Sequence, residues 1–137
     1  MSSLVKISVF EQHFIERNCH TRQGMEYLFN KGKENEKEMN SMEIAIVKLK
    51  AGVSDEIFLK EAKSVQIFLQ NSPGYVSRKL FKSENGYWVD MVEWSSQENA
   101  FKAFENFSKD SANHKFEELL DVSSMQMYHS SEFWKFE

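Results

Sequence analysis

Apolar residues recur along this chain with two different spacings, and the switches between them mark out its elements. From Met42, "MEIAIVKLK" (42–50) is apolar at most steps and predicts a strand, ended by Ala51-Gly52. Ser54 suits the N-cap of a helix over 55–70, where Ile57, Phe58, Ala62, Val65, Phe68 and Leu69 form one stripe at helical spacing. "NSPG" (71–74) stops that helix, since proline lacks the donor a continuing helix needs. "YVSRKLF" (75–81) and "YWVDMVEW" (87–94) read as strands around "SENG" (83–86), whose Asn85-Gly86 is a hairpin signal. Ser95 opens a capping box with Glu98 three positions on, and the helix it predicts buries Ala100, Phe101, Phe104 and Phe107. The pattern breaks over "SKDSANH" (108–114) and resumes with Phe116, Leu119 and Leu120, which predicts a kink or a turn and short helix. "SSMQMYHS" (123–130) is a last strand, setting Met125, Met127 and His129 against Gln126 and Tyr128.

The order from residue 42 is therefore β-α-β-β-α-β. That is the ferredoxin-like split βαβ arrangement, an α+β fold with a four-stranded antiparallel sheet and both helices on one face. A sheet covered on one side only is expected to be polar on the other. The third strand is not: Trp88, Val92 and Trp94 share one face with Asp90, while Tyr87, Val89 and Met91 occupy the opposite face. The first strand likewise has Ile44, Ala45, Ile46, Val47 and Leu49 in near succession. A second copy covering the outer face resolves this, so the expected assembly is a homodimer formed sheet to sheet, a dimeric α/β barrel.

Residues 1–41 form an N-terminal extension to this domain of 42–137. "LVKISVF" (4–10) alternates as a short strand would, residues 11–29 could hold one or two short helices, and 32–41 read as a charged linker. Met39 and Met42 leave open that residues 1–38 are an optional addition. At 137 residues the chain suffices for one domain with a real core. Its net charge is −4, with six basic and six acidic residues in 1–41, so the whole excess lies in 42–137. Only Arg78, Lys79 and Lys82 cluster, which leaves no phosphate-tracking stripe and speaks against a nucleic-acid partner. No run approaches 18 apolar residues, no secretory leader pattern opens the chain, and a single Cys19 excludes an internal disulfide framework. A soluble, cytoplasmic protein without a membrane partner is the expectation. His13, Cys19 and His20 make only a weak metal-ligand grouping, and no GxSxG, Walker A, GxGxxG, HExxH or EF-hand pattern occurs.

The stretch "EWSSQENAFKAFENF" (93–107), with its Trp at the end of a strand, is followed by Ser/Asp-rich residues, His114-x-Phe116, "LLD" and a Met-rich last strand. Over residues 42–131 this resembles the antibiotic-biosynthesis-monooxygenase-like family of dimeric α+β barrels. The resemblance implies a ligand cavity between helices and sheet in each monomer. It also implies one of three behaviours: oxidation of phenolic or quinol-like compounds by O₂ without a cofactor, haem binding and degradation, or no activity. The cofactor-free chemistry asks for a base, polar anchors and a dry pocket, because a deprotonated electron-rich aromatic can itself reduce O₂. Candidates in this chain are His114 as base and Asp90 as a polar group, with Trp88, Trp94, Tyr75, Phe104 and Phe107 as substrate wall and anchor. No cofactor is expected. Haem is disfavoured because Asn106-Phe107 stands where the haem-degrading relatives present Asn-Trp, and because His114 comes too early for their axial ligand.

Each candidate also has a plain structural reading. His114 sits in a polar kink and suits a solvent-facing helix end. The two Trp suit an ordinary core, and Tyr75 suits an interface. Asp90 between two Trp is costly to bury unpaired, so it either pairs with Arg78 or Lys79 on the neighbouring strand or faces a wet cavity. Three functions stay open: a cofactor-independent oxygenase for a small aromatic or quinol-like compound, a non-catalytic haem or hydrophobic-metabolite binding dimer, and a structural or interaction protein. Phe58, Phe68, Phe101, Phe104, Phe107 and Phe116 could fill the space a substrate needs, and an open or a filled interior separates these readings.

Overall fold

The computed structural model describes residues 39–137. The strand at 4–10, the helices within 11–29, the His13/Cys19/His20 grouping and most of the 32–41 linker lie outside the described residues. From there the elements run β1 (Ser41–Leu49), α1 (Asp55–Gln70), β2 (Tyr75–Lys82), β3 (Trp88–Trp94), α2 (Gln97–Phe107), a 3₁₀ turn (Ser111–Asn113), α3 (His114–Glu118) and β4 (Leu120–Ser131). The four strands form one antiparallel sheet in the order β2-β3-β1-β4. This is the ferredoxin-like α+β fold, with the break after α2 resolved as a turn and a short third helix.

Local chemistry explains the boundaries. The Ser54 hydroxyl accepts from the Ile57 amide at 3.2 Å, and Asp55 and Glu56 occupy the first turn of α1, where carboxylates meet the positive end of the helix dipole. Phe58, Ala62, Val65 and Leu69 form its buried stripe, whereas Ile57 is 49% exposed and leaves the stripe predicted for it. The second helix begins one residue later than predicted. Ser96, not Ser95, is the N-cap and accepts from the Asn99 amide at 3.1 Å, so Glu98 falls within the first turn instead of closing a box. The Ser95 hydroxyl accepts instead from the Asn99 side chain at 3.1 Å. Gly74 has a φ of +83°, and a Cβ there would run into that same Asn99 side chain, so the loop before β2 closes tightly on α2 only as glycine. β4 starts at Leu120, three residues before its predicted start, because Leu120 pairs with Leu49 in the ladder and does not extend the helical stripe.

The sheet's two faces differ. Val47, Trp88, Val92, Trp94, Leu120, Met125 and Met127 turn toward the helices and join Phe58, Phe104 and Phe116 in one core. On the outer face Ile44 pairs with Met91 and Tyr128, and Ile46 pairs with Val89 and Gln126. These apolar side chains are only half covered or exposed: Tyr128 is 50% and Phe81 51% accessible. Beyond β4, Phe133, Trp134 and Phe136 are also exposed. Among the described residues no helix is long and apolar enough to cross a membrane.

Candidate functional site

Between the helices and the inner sheet face lies a cavity of about 60 Å³, enough for a few water molecules or a small solute. α1 and α2 supply an aromatic roof of Phe58, Phe68, Phe104 and Phe107, and α3 adds Phe116. The floor is the inner sheet face, where Trp88, Val92 and Trp94 alternate with Glu43, Arg78 and Asp90. An interior of this kind is neither open throughout nor completely filled by phenylalanine.

Strand register explains how charges come to lie under an aromatic roof. Glu43 of β1 is paired with His129 of β4 on one side and Val92 of β3 on the other, and Val92 is paired with Arg78 of β2. One ladder row thus reads His129–Glu43–Val92–Arg78. Asp90 sits two residues along β3 from Val92, opposite Ala45, and is a diagonal neighbour of Glu43, a separation of roughly 7–8 Å between such positions. Two carboxylates therefore share the floor, each beside its own basic partner. Arg78 grips Asp90 with two bonds, Nε to Oδ1 at 2.8 Å and Nη2 to Oδ2 at 2.6 Å, and its Nη1 donates to the Ala62 carbonyl of α1 at 2.8 Å. His129 Nε2 lies 2.9 Å from Glu43 Oε2. Side-chain exposures are 8% and 16% for Arg78 and Asp90, and 5% and 15% for His129 and Glu43. Burying such groups is costly unless each is paired, and here each is.

Of the residues singled out from sequence, Asp90, Trp88, Trp94, Phe104 and Phe107 line the cavity together. Asp90 takes Arg78, not Lys79, as its partner. Trp88 packs on Phe58 with ring centres 4.7 Å apart. Trp94 is 1% exposed, and its indole Nε1 is buried without a hydrogen-bond partner. The hydroxyl of Ser41, directly opposite Trp94 in the ladder, is likewise buried and unpartnered. An unsatisfied buried donor costs about 1–3 kcal/mol, so this end of the sheet carries an uncompensated polar pair beside the cavity wall. Tyr75 and His114 are not part of the lining. Tyr75 meets Trp94 edge to face at 6.1 Å, and its hydroxyl accepts from Gln66 at 2.8 Å. His114 is exposed at the start of α3, with Nε2 2.8 Å from the Ser108 carbonyl.

The histidine that does stand beside the cavity is His129, which the sequence pattern groups with Met125 and Met127 on one side of the last strand without giving it a role. Glu43 was hidden in an apolar run. Among the described residues no group of three or more His, Cys, Asp or Glu is arranged to hold a metal ion.

Fold and site together define a small α+β domain whose internal cavity combines aromatic walls with paired, half-buried polar groups. No protein-family model matches the chain, and no curated protein matches it in sequence. Solved structures do match. A variant of SnoaB, a cofactor-independent oxygenase from Streptomyces nogalater, superposes with a TM-score of 0.59 at 10% identity, over 70% of this chain and 95% of its own. A "putative antibiotic biosynthesis monooxygenase" from Bordetella bronchiseptica gives 0.60 at 15% identity, over 71% of this chain and 100% of its own. A conserved protein from Methanosarcina mazei Go1 gives 0.55 at 12% identity, over 69% and 94%. At these identities the likeness is one of fold, an α+β fold shared with SnoaB and the Bordetella protein.

Proposed function

We propose that the protein is a cofactor-independent monooxygenase acting on a small aromatic or quinol-like compound held in this cavity, and that it works as a cytoplasmic homodimer. The observation that carries the proposal is the cavity floor: two half-buried carboxylates, Glu43 and Asp90, beneath a phenylalanine roof. Apolar walls take the ring and exclude water. A ring oxygen that loses its proton pushes electron density into the ring, which then reduces O₂. The peroxide so formed, at a carbon that still carries hydrogen, collapses to a carbonyl and releases water. The substrate supplies all the electrons, so no metal or flavin is needed, in keeping with the description of SnoaB as cofactor-independent. Asp90, Trp88, Trp94, Phe104 and Phe107 form the wall. His114 and Tyr75 lie outside it.

The test is oxygen uptake by the full chain in chelator-treated buffer with simple hydroquinones and naphthoquinols. With isotopically labelled O₂, one labelled oxygen is expected in the product at a rate well above autoxidation. Uptake no faster than in buffer alone across the panel overturns the proposal. The small cavity favours a second reading, a carrier for a small apolar molecule; native mass spectrometry of the purified chain would then show a bound small molecule without turnover.

The homodimer is supported by the half-covered Ile44, Ile46, Val89 and Met91 on the outer sheet face, continuous with exposed Phe81 and Tyr128. An apolar patch of this kind on a soluble chain marks an interface. Met91→Lys places a charge at its centre and is expected to convert a dimer mass to a monomer mass in light scattering. An unchanged mass would move the interface elsewhere.

A further inference from the structure

Buried charge pairs usually serve as clamps, and Arg78–Asp90 is one. The pair on the other side of the floor is built differently. Its members come from β1 and β4, 86 residues apart in sequence, and the imidazole packs at a tilt of 42° against Phe101, with ring centres 4.8 Å apart, and lies edge to face with Phe104 at 6.0 Å. Glu43 lines the cavity, while His129 stands behind it.

We infer that Glu43 is the general base of this site and that His129 is its positioning residue, which goes beyond the proposed oxygenase reading while resting on it. In the tautomer with hydrogen on Nε2, His129 donates to Glu43 Oε2 and fixes the carboxylate, leaving Oε1 as the acceptor. The hydroxyl O–H bond of a bound phenol or enol breaks, a new O–H bond forms at Oε1, and the negative charge passes from Glu43 to the ligand oxygen. Net charge is unchanged, and the anion forms in a cavity that Arg78 also lines. Asp90 is the poorer base because both its oxygens already accept from a guanidinium, a group that stays charged and cannot release them by deprotonation. Among the described residues, the charged groups facing this carboxylate are His129 from β4, Arg78 from β2 and Asp90 from β3. From α2, Phe101 and Phe104 pack against His129. The ligand class is thus narrowed to small aromatics or enols bearing an ionisable hydroxyl.

The probe is 4-nitrophenol, whose phenolate is yellow and whose neutral form is not. It is mixed with the full chain at a pH where the free compound is largely neutral. The phenolate fraction of the bound probe is expected to exceed that in buffer at least tenfold. Glu43→Gln should bind the probe with similar affinity and lose that gain. His129→Gln, whose amide can still donate to the carboxylate, should keep more of it than His129→Leu. A probe that binds wild-type protein in its neutral form overturns the inference while leaving the cavity reading intact, and so does a yellow signal that survives in Glu43→Gln. A probe that does not bind at all overturns both. The wild-type measurement decides even where a variant fails to fold.

Discussion

The two buried charge pairs sit side by side on one sheet face, yet they are tied into the structure in different ways. Arg78–Asp90 joins neighbouring strands of one hairpin, is doubly bonded, and reaches across to the Ala62 carbonyl, so it fastens sheet to helix. Glu43–His129 joins β1 to an edge strand and is enclosed by aromatic rings. The first arrangement has every geometric mark of a rivet, because a fork-shaped cation with three bonds leaves little freedom. The second places a proton-carrying ring against a cavity carboxylate. A largely hydrophobic interior can hold two polar pairs for separate reasons, one to fix the fold and one to serve the space beside it.

Substitutions should separate these roles by size. Arg78→Ala is expected to cost the most, about 3–5 kcal/mol, because Asp90 is left buried and uncompensated and the Ala62 carbonyl loses a donor; urea unfolding measures it. A loss below about 1 kcal/mol would erase the distinction between the pairs. Glu43→Gln keeps the shape and a hydrogen bond to His129 and should cost only about 1 kcal/mol, with its main effect on ligand ionisation. Lys82→Met, which removes the exposed Lys82–Asp55 pair (side chains 44% and 51% accessible), should change stability by less than about 0.5 kcal/mol. It serves as the surface reference for both.

Much of the fold was legible in the sequence because its signals are local. Alternation gave the strands, Ser54 and "NSPG" bounded α1, and the parity of β3 put Asp90 on the Trp face, one strand away from Arg78. The capping residue of α2 was misplaced by one because two adjacent serines offer the same hydroxyl, and only backbone geometry chooses between them. The start of β4 was misplaced because Leu119-Leu120 fits a helical stripe and a strand equally well. The Glu43–His129 pair was not legible for a deeper reason. Which β1 residue faces His129 depends on the β1–β4 register, which shifts between Ile46 and Lys48. Such a shift leaves no mark in an apolar run. His114 stood out through the family resemblance alone, and the polar neighbours that pointed to a solvent-facing helix end agree with its exposed position.

The strand order carries one more consequence, for how the molecule behaves in crowded solution. Among the described residues, β2 and β4 are the outer strands of the sheet. β2 presents the exposed Lys79 and Lys82, charges that discourage a foreign strand from aligning along it. β4 is twelve residues long, bears no acidic or basic side chain after Asp121 other than His129, and runs into the exposed Phe133, Trp134 and Phe136. The molecule is therefore asymmetric in its resistance to misassembly: one margin repels a newcomer, and the other is where an added strand would find an unguarded row of amides and three aromatic rings to grip.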